Sequence, residues 1–137
     1  MSTLEIIGIC SIAYVALCVI IYFTQELFLF HPEKLISNFE YKFDADFEEI
    51  YIPTDDGAIL NALLFKKENS KGLVFYFKGN TRSIKGWGKF SRDFISKGYD
   101  FFVFDYRGFG KSKGKRSERN FHKDCNAAYE YLVKNHY

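Results

Sequence analysis

The sequence predicts an α/β fold, with an N-terminal transmembrane helix followed by a β-hairpin and a β-α-β-α unit. Three features carry that prediction. Residues Ile6 to Phe23, IIGICSIAYVALCVIIYF, run eighteen positions without a charge. Two apolar runs, Leu73–Phe77 and Phe101–Phe104, are too short and too rich in Val and Phe for helices and read as buried strands. Between them Trp87, Phe90, Phe94 and Ile95 fall at helical spacing, and Gly98 stands where a left-handed C-cap stops such a helix. A crossover of this length makes the two strands parallel and the connection right-handed. Parallel strands are covered on both faces, so neither run alternates with polar residues.

As a helix, the charge-free segment spans roughly 27 Å, close to the thickness of a bilayer core. It has no polar face at any helical phase, unlike the helix of a soluble core. It also lacks the basic leader and the small-x-small site of a cleaved signal peptide. Residues 1–30 therefore read as an uncleaved, single-pass anchor and its exit, in contact with the lipid bilayer. The flanking cations, Lys34 and Lys42, follow the helix and point to a cytoplasmic carboxyl side. His31, beside Pro32 at that exit, reads as a surface histidine. Residues 31–46 form a polar and aromatic connector, and residues 47–137 form the folded part.

Within that part, Glu48–Pro53 and Ala58–Phe65 read as a β-hairpin around Thr54-Asp55-Asp56-Gly57, because Asp-Gly supplies the positive φ of a tight turn. Ile50, Ile52, Ile59 and Leu63 are expected on one core face. Lys66 to Lys71 is an exposed loop. After the second buried strand, Ser117 is an N-cap, and Phe121, Cys125, Ala128 and Leu132 form the stripe of an amphipathic helix.

Composition narrows the chemistry. The 137 residues are 47% hydrophobic, which supports one core. A net charge of +2 is too small to signal nucleic acid. Cys10 and Cys18 lie about 12 Å apart along one helix, too far to bridge, and Cys125 is remote in sequence. No Cys or His spacing suggests a metal, and no cofactor is predicted.

The strands end in two motifs, Lys78-Gly79-Asn80-Thr81 and Asp105-Tyr106-Arg107-Gly108-Phe109-Gly110-Lys111-Ser112. Loops at the carboxyl ends of parallel strands are where such sheets bind and react. The arrangement resembles the α/β-hydrolase superfamily, in particular its membrane-anchored, serine-aminopeptidase-like serine hydrolases. In that family one strand ends in His-Gly-Asn and the next in D-x-R-G-x-G-x-S. The chain matches the second motif at each fixed position, with Gly79 and Asn80 from the first, and Lys78 stands where His is usual. The resemblance runs from about Gln25 to Tyr137, so residues 47–137 would be the N-terminal part of an α/β-hydrolase domain.

It implies that the backbone N–H groups of Asn80 and Thr81 line an oxyanion hole, and that Gly79, Asp105, Arg107, Gly108, Gly110 and Ser112 support the motifs. It implies cleavage of ester, thioester or amide bonds, yet the nucleophile elbow, acid and histidine of that family are not found in these residues. The chain by itself is accordingly expected to be inactive and to meet an acyl substrate only if completed. In the family's strand order Leu73–Phe77 lies between Phe101–Phe104 and a further strand, so its edge is expected to self-associate or to take a partner chain. The alternative is a non-catalytic, membrane-anchored module that binds such a partner.

Two further patterns overlap in the second motif. Gly110-Lys111-Ser112-Lys113-Gly114 satisfies G-x-S-x-G, but an elbow needs a buried strand ending at its first glycine and a helix after the serine. The P-loop pattern fails because its first glycine position is Asp105. Ser112 is thus expected in an exposed glycine-rich loop, where its replacement changes stability little. Asp105 and Arg107 are expected to tie the loop together by ion pairs and backbone hydrogen bonds. Lys111, Lys113, Lys115, Arg116 and Arg119 read as a solvated basic face, with anionic lipid as the alternative contact.

Overall fold

The computed structural model describes residues 2–136, and the chain divides into two units, Met1–His31 and Pro32–Tyr137. The first unit is a single helix, α1 (Thr3–Leu29). Its start is fixed by a capping box: the Ser2 hydroxyl accepts from the Glu5 N–H, and the Ser2 N–H donates to Glu5 Oε2 at 2.9 Å. Its polar side chains bond within the helix, Ser11 Oγ to the Ile7 carbonyl and Thr24 Oγ1 to the Ile20 carbonyl. That leaves an apolar surface, and α1 is long and apolar enough to cross a membrane by length and composition.

The second unit is a four-stranded mixed sheet, β1 (Phe47–Pro53), β2 (Ile59–Phe65), β3 (Leu73–Tyr76) and β4 (Asp100–Asp105), in the order β1-β2-β4-β3. β1 and β2 form the expected hairpin, β2 pairs antiparallel with β4, and β3 pairs parallel with β4. The connection between β3 and β4 is α2 (Ile84–Trp87), a 3₁₀ turn (Gly88–Phe90) and α3 (Ser91–Ile95). Gly98 closes it with φ +89°, its N–H donating to the Ile95 carbonyl, as the left-handed cap requires. The last element is α4 (Glu118–Asn135), with the Ser117 hydroxyl accepting from the Asn120 N–H.

The register sets what each face carries. Ile50 stands opposite Ala62, which stands opposite Phe104, while Leu63 stands opposite Val103. Ile50 and Ile52 thus share one face with Leu60, Ala62, Leu64, Phe102 and Phe104. Leu63 lies on the other face, with Phe65, Phe101 and Val103, and Ile59 is 40% exposed at the start of its strand. The expected single face of Ile50, Ile52, Ile59 and Leu63 is therefore corrected. The cause is that β2 is a central strand, covered on both sides, so its apolar residues do not alternate.

Tyr41 and Ile84 complete the Leu63 face, with Leu35, Phe39, Phe43, Trp87, Phe94 and Ile95 packed half-buried against it. The aromatic rings there interlock, Phe94 stacking on Phe101 at 5.3 Å; such pairs contribute roughly 0.5–1.5 kcal/mol beyond area burial. α4 lies on the opposite face, where Ala128 and Leu132 are buried and Tyr129 meets Phe75.

Candidate functional site

Both motif loops sit at the carboxyl ends of neighbouring parallel strands, residues 77–83 after β3 and 106–114 after β4. The first turns inward at Lys78. Its side chain is fully buried, and Nζ lies 3.3 Å from the Gly79 carbonyl, 3.4 Å from the Arg82 carbonyl and 3.5 Å from Asp105 Oδ1. The ammonium also stands 3.7 Å from the centre of the Phe109 ring, a favourable place for a cation. The carbonyl of Lys78 accepts from the Tyr106 hydroxyl at 2.9 Å, and the carbonyl of Thr81 accepts from the Trp87 indole at 3.0 Å. Asn80 is exposed and Thr81 half-buried on the resulting loop, and Arg82 takes a left-handed φ of +56°.

Asp105 is the hub of the second loop. Its two carboxylate oxygens each accept from the Ile84 N–H at 3.1 Å, which fixes the entry to α2. Burial pushes its carboxyl up to about 7, against the attraction of Lys78, and burial likewise draws the Lys78 amine down to about 8. Gly110 is obligatory beside it: φ is +50°, and a Cβ would collide with Asp105 Oδ2. That close approach lets the Gly110 N–H reach the Glu33 carbonyl at 2.7 Å. The Glu33 side chain in turn accepts from Ser83 at 2.7 Å and pairs with Lys85.

Arg107 points the other way, toward α4 and the hairpin turn. Its backbone N–H donates to Asp124 Oδ2 and its Nε to Asp124 Oδ1, at 2.9 and 2.7 Å. Its Nη1 and Nη2 donate to the two oxygens of Asp56 at 3.0 and 3.2 Å. Asp124 is wholly buried, and the guanidinium beside Asp56 holds that carboxyl well below the usual carboxylate range. Asp105 and Arg107 do ion-pair and bond to backbone, but the partners of their side chains are distant elements rather than their own loop.

Ser112 corrects the expectation of an exposed loop. It is buried, accepting from the Asn61 N–H at 2.8 Å and donating to the Asp105 carbonyl at 2.6 Å. Its proton is directed at a backbone carbonyl, not at a base. None of the histidines at 31, 122 and 136 is hydrogen-bonded to a serine among the described residues. Lys111, expected in solvent, is also buried, with Nζ 2.8 Å from Glu49 Oε1. The remaining cations of the basic stretch, Lys113, Lys115 and Arg119, are exposed, and Arg116 is half-buried.

The D-x-R-G-x-G-x-S motif thus works as a clasp, joining the two strand-end loops, the hairpin and α4. Sequence reasoning missed Asp124, Glu49, Asn61 and Glu33. Two of these left a signal: Asp124 interrupts the apolar stripe of α4 between Phe121 and Ala128, and Asn61 interrupts the apolar strand ILNALLF. Among the described residues there is no cluster of His, Cys, Asp and Glu able to hold a metal ion.

The profile of the serine aminopeptidase (S33) family matches residues 68–137. The protein bem46 of Schizosaccharomyces pombe is 30% identical over 97 residues, which cover 68% of this chain and 32% of that protein. An uncharacterized protein, R595, of Acanthamoeba polyphaga mimivirus is 27% identical over 92 residues, 64% of this chain and 31% of that protein. The chain thus spans about a third of the length of the curated relatives it matches. In fold it is similar to the Pyrococcus furiosus esterase Pf2001, with a TM-score of 0.58 and 23% identity over 77% of this chain and 43% of the esterase. An alpha-beta hydrolase from Vibrio vulnificus gives a TM-score of 0.55 at 18% identity, over 65% of this chain and 30% of that one.

Proposed function

Because this chain belongs to the serine aminopeptidase (S33) family of α/β-hydrolases, we propose that it forms the N-terminal part of a membrane-anchored serine hydrolase. Its bond class is ester, thioester or amide. The observation that carries the reading is the pairing of a built loop with an open edge. The 78–83 loop is fixed by Lys78, Tyr106 and Trp87, while among the described residues β3 pairs with β4 on one side and with no strand on the other. In the family's strand order the next strand stands at that edge and presents the nucleophile, so the N–H groups of Asn80 and Thr81 would face the oxyanion of the acyl intermediate. Removing one such donor costs about 3–4 kcal/mol of transition-state stabilisation in serine hydrolases.

α1 holds this part in the bilayer as a single span, and the cations at Lys34 and Lys42 favour a cytoplasmic sheet. By itself the chain turns over no substrate, because an oxyanion hole without a nucleophile stabilises a charge that nothing generates. The unpaired side of β3 favours association with a further chain, and Phe77 just after it, packed on Phe75 and Phe104 yet 53% exposed, adds apolar surface beside that edge.

The test is hydrolysis of a p-nitrophenyl ester and labelling by a fluorophosphonate. Each is measured on the chain alone, and on the chain joined to or co-expressed with the strands that follow in full-length relatives. Turnover and labelling are expected only in the completed protein. Turnover by the 137 residues alone, lost on changing Asp105 or Ser112, overturns the reading. A completed sheet that binds its added strands but neither labels nor turns over identifies a partner-binding module instead.

A further inference from the structure

The Lys78 side chain is fully buried, and the proposed hydrolysis gives it no chemical step. Its surroundings explain why a cation is buried there. Nζ faces the carbonyls of Gly79 and Arg82, the Asp105 carboxylate and the ring of Phe109, with the Tyr106 ring centre at 5.1 Å. Glu33, held by Ser83 and Lys85, is the further acid acting on Asp105. An ammonium has three protons to donate and no lone pair, so each carbonyl in its reach is turned toward it. In a trans peptide the carbonyl of one residue and the N–H of the next point in opposite directions, and the Gly79–Asn80 bond is trans. Drawing the Gly79 carbonyl inward therefore sends the Asn80 N–H away from the buried ammonium.

We infer that Lys78 is a positioning residue, whose buried ammonium sets the Gly79–Asn80 peptide so that the Asn80 N–H points out of the loop toward an anionic acyl oxygen. The inference rests on reading residues 78–81 as an oxyanion wall. It gives a physical purpose to this chain's departure from the family's histidine, since the lysine grips two carbonyls of its own loop and the carboxylate of the next one. Asp105 is part of the same device, because it holds both the ammonium and the first N–H of α2.

The loop carries its own reporter, because Trp87 is the one tryptophan in the sequence and its indole donates to the Thr81 carbonyl. The full chain in detergent micelles, labelled with ¹⁵N, is compared with Lys78→Met and with the double variant K78M/D105N. The double variant leaves no unpaired charge buried, and so keeps the test informative if the single variant fails to fold. Exchange of the indole proton is expected to rise by roughly ten- to a hundredfold, the range that the loss of one charge-assisted hydrogen bond carries. The Asn80 amide resonance should move with it, while the amides of Phe102 and Val103 stay in place.

An unchanged indole and Asn80 amide in the folded double variant overturns the inference. So does loss of the β4 amides in that variant when Asp105→Asn alone keeps them, since Lys78 would then support the whole sheet rather than the loop. Neither readout uses activity. A responsive loop in a protein that shows no turnover when completed would leave standing that Lys78 sets the Gly79–Asn80 peptide while removing the hydrolase reading and its acyl oxygen, and the converse result would separate them the other way.

Discussion

Replacing Ser112 with Ala tests the clasp most directly, because the two readings of this serine predict opposite results. In the structure its hydroxyl joins the Asn61 N–H of β2 to the Asp105 carbonyl at the end of β4, both in the interior. Alanine leaves that donor and that acceptor without the hydroxyl, and the site is too enclosed for each to regain water freely. A buried group left unsatisfied costs about 1–3 kcal/mol, so the pair should cost roughly 2–6 kcal/mol. That is a large share of the roughly 5–15 kcal/mol typical of a domain. With a urea slope of about 1.5 kcal/mol/M, the unfolding midpoint should fall by roughly 1–4 M. The assay is urea unfolding of the full chain in micelles, followed by fluorescence of Trp87, which packs near Tyr76. Ser112→Thr, which keeps the hydroxyl, should lose less. A midpoint unchanged in Ser112→Ala would refute the clasp. Loss of fluorophosphonate labelling without loss of stability would restore Ser112 as a nucleophile.

Three further outcomes follow from the same contacts. Asp124→Ala removes the acceptor of the Arg107 N–H and Nε and leaves Asp56 as the remaining partner of the guanidinium, so it should destabilise by up to about 3–5 kcal/mol, read by the same urea titration, with Asp124→Asn losing less. The Lys78–Asp105 pair should impose a pH dependence. Asp105 is raised, so its contribution is present below the unfolded pKa and lost as pH rises through about 7. Lys78 is lowered, so its contribution is present above 10.5 and lost as pH falls through about 8. The two together place a minimum in their stability contribution at neutral to mildly alkaline pH, and K78M/D105N should flatten it in midpoints taken from acid to alkaline pH. Finally, α1 should hold the chain in membranes through high salt and carbonate, because apolar insertion is not screened by ions, and recovery of the full chain in the soluble fraction would contradict that.

What the sequence revealed and what it concealed divide by the distance over which each feature is decided. The helix stripe of α4 and its Ser117 cap, the hairpin turn, the two parallel strands and the Gly98 cap depend on neighbours a few residues away, and all but one are where local pattern put them. The exception is β3, which ends at Tyr76 and is half-buried, with Phe77 exposed, where the apolar run predicts a buried strand through Phe77. The burial of Ser112 depends on Asn61, that of Lys111 on Glu49, and the setting of Arg107 on Asp56, each more than fifty positions away in the chain. A glycine-rich, lysine-rich loop looks solvated by composition, because composition records nothing of the strand that folds over it. The face of Ile59 was hidden for a related reason: a strand covered on both sides has no alternation from which to read a face.

The concealed contacts nonetheless left a trace, which is polarity in an apolar setting. Asn61 lies in ILNALLF, Asp124 within the stripe of α4, and Lys78 directly after LVFYF. A polar group committed to the interior must find a partner there, so three such residues in one small unit imply a shared meeting place. The segment between Asp105 and Ser112 is the one that supplies it. Asp105 meets Lys78 and Arg107 meets Asp124. Ser112 bonds the Asn61 N–H, and the Asn61 side chain bonds Glu49 Oε1, where Lys111 also binds. A motif that satisfies three buried groups at once tolerates little change at its fixed positions on grounds of folding alone. Its presence in the sequence therefore reports an architecture before it reports any chemistry.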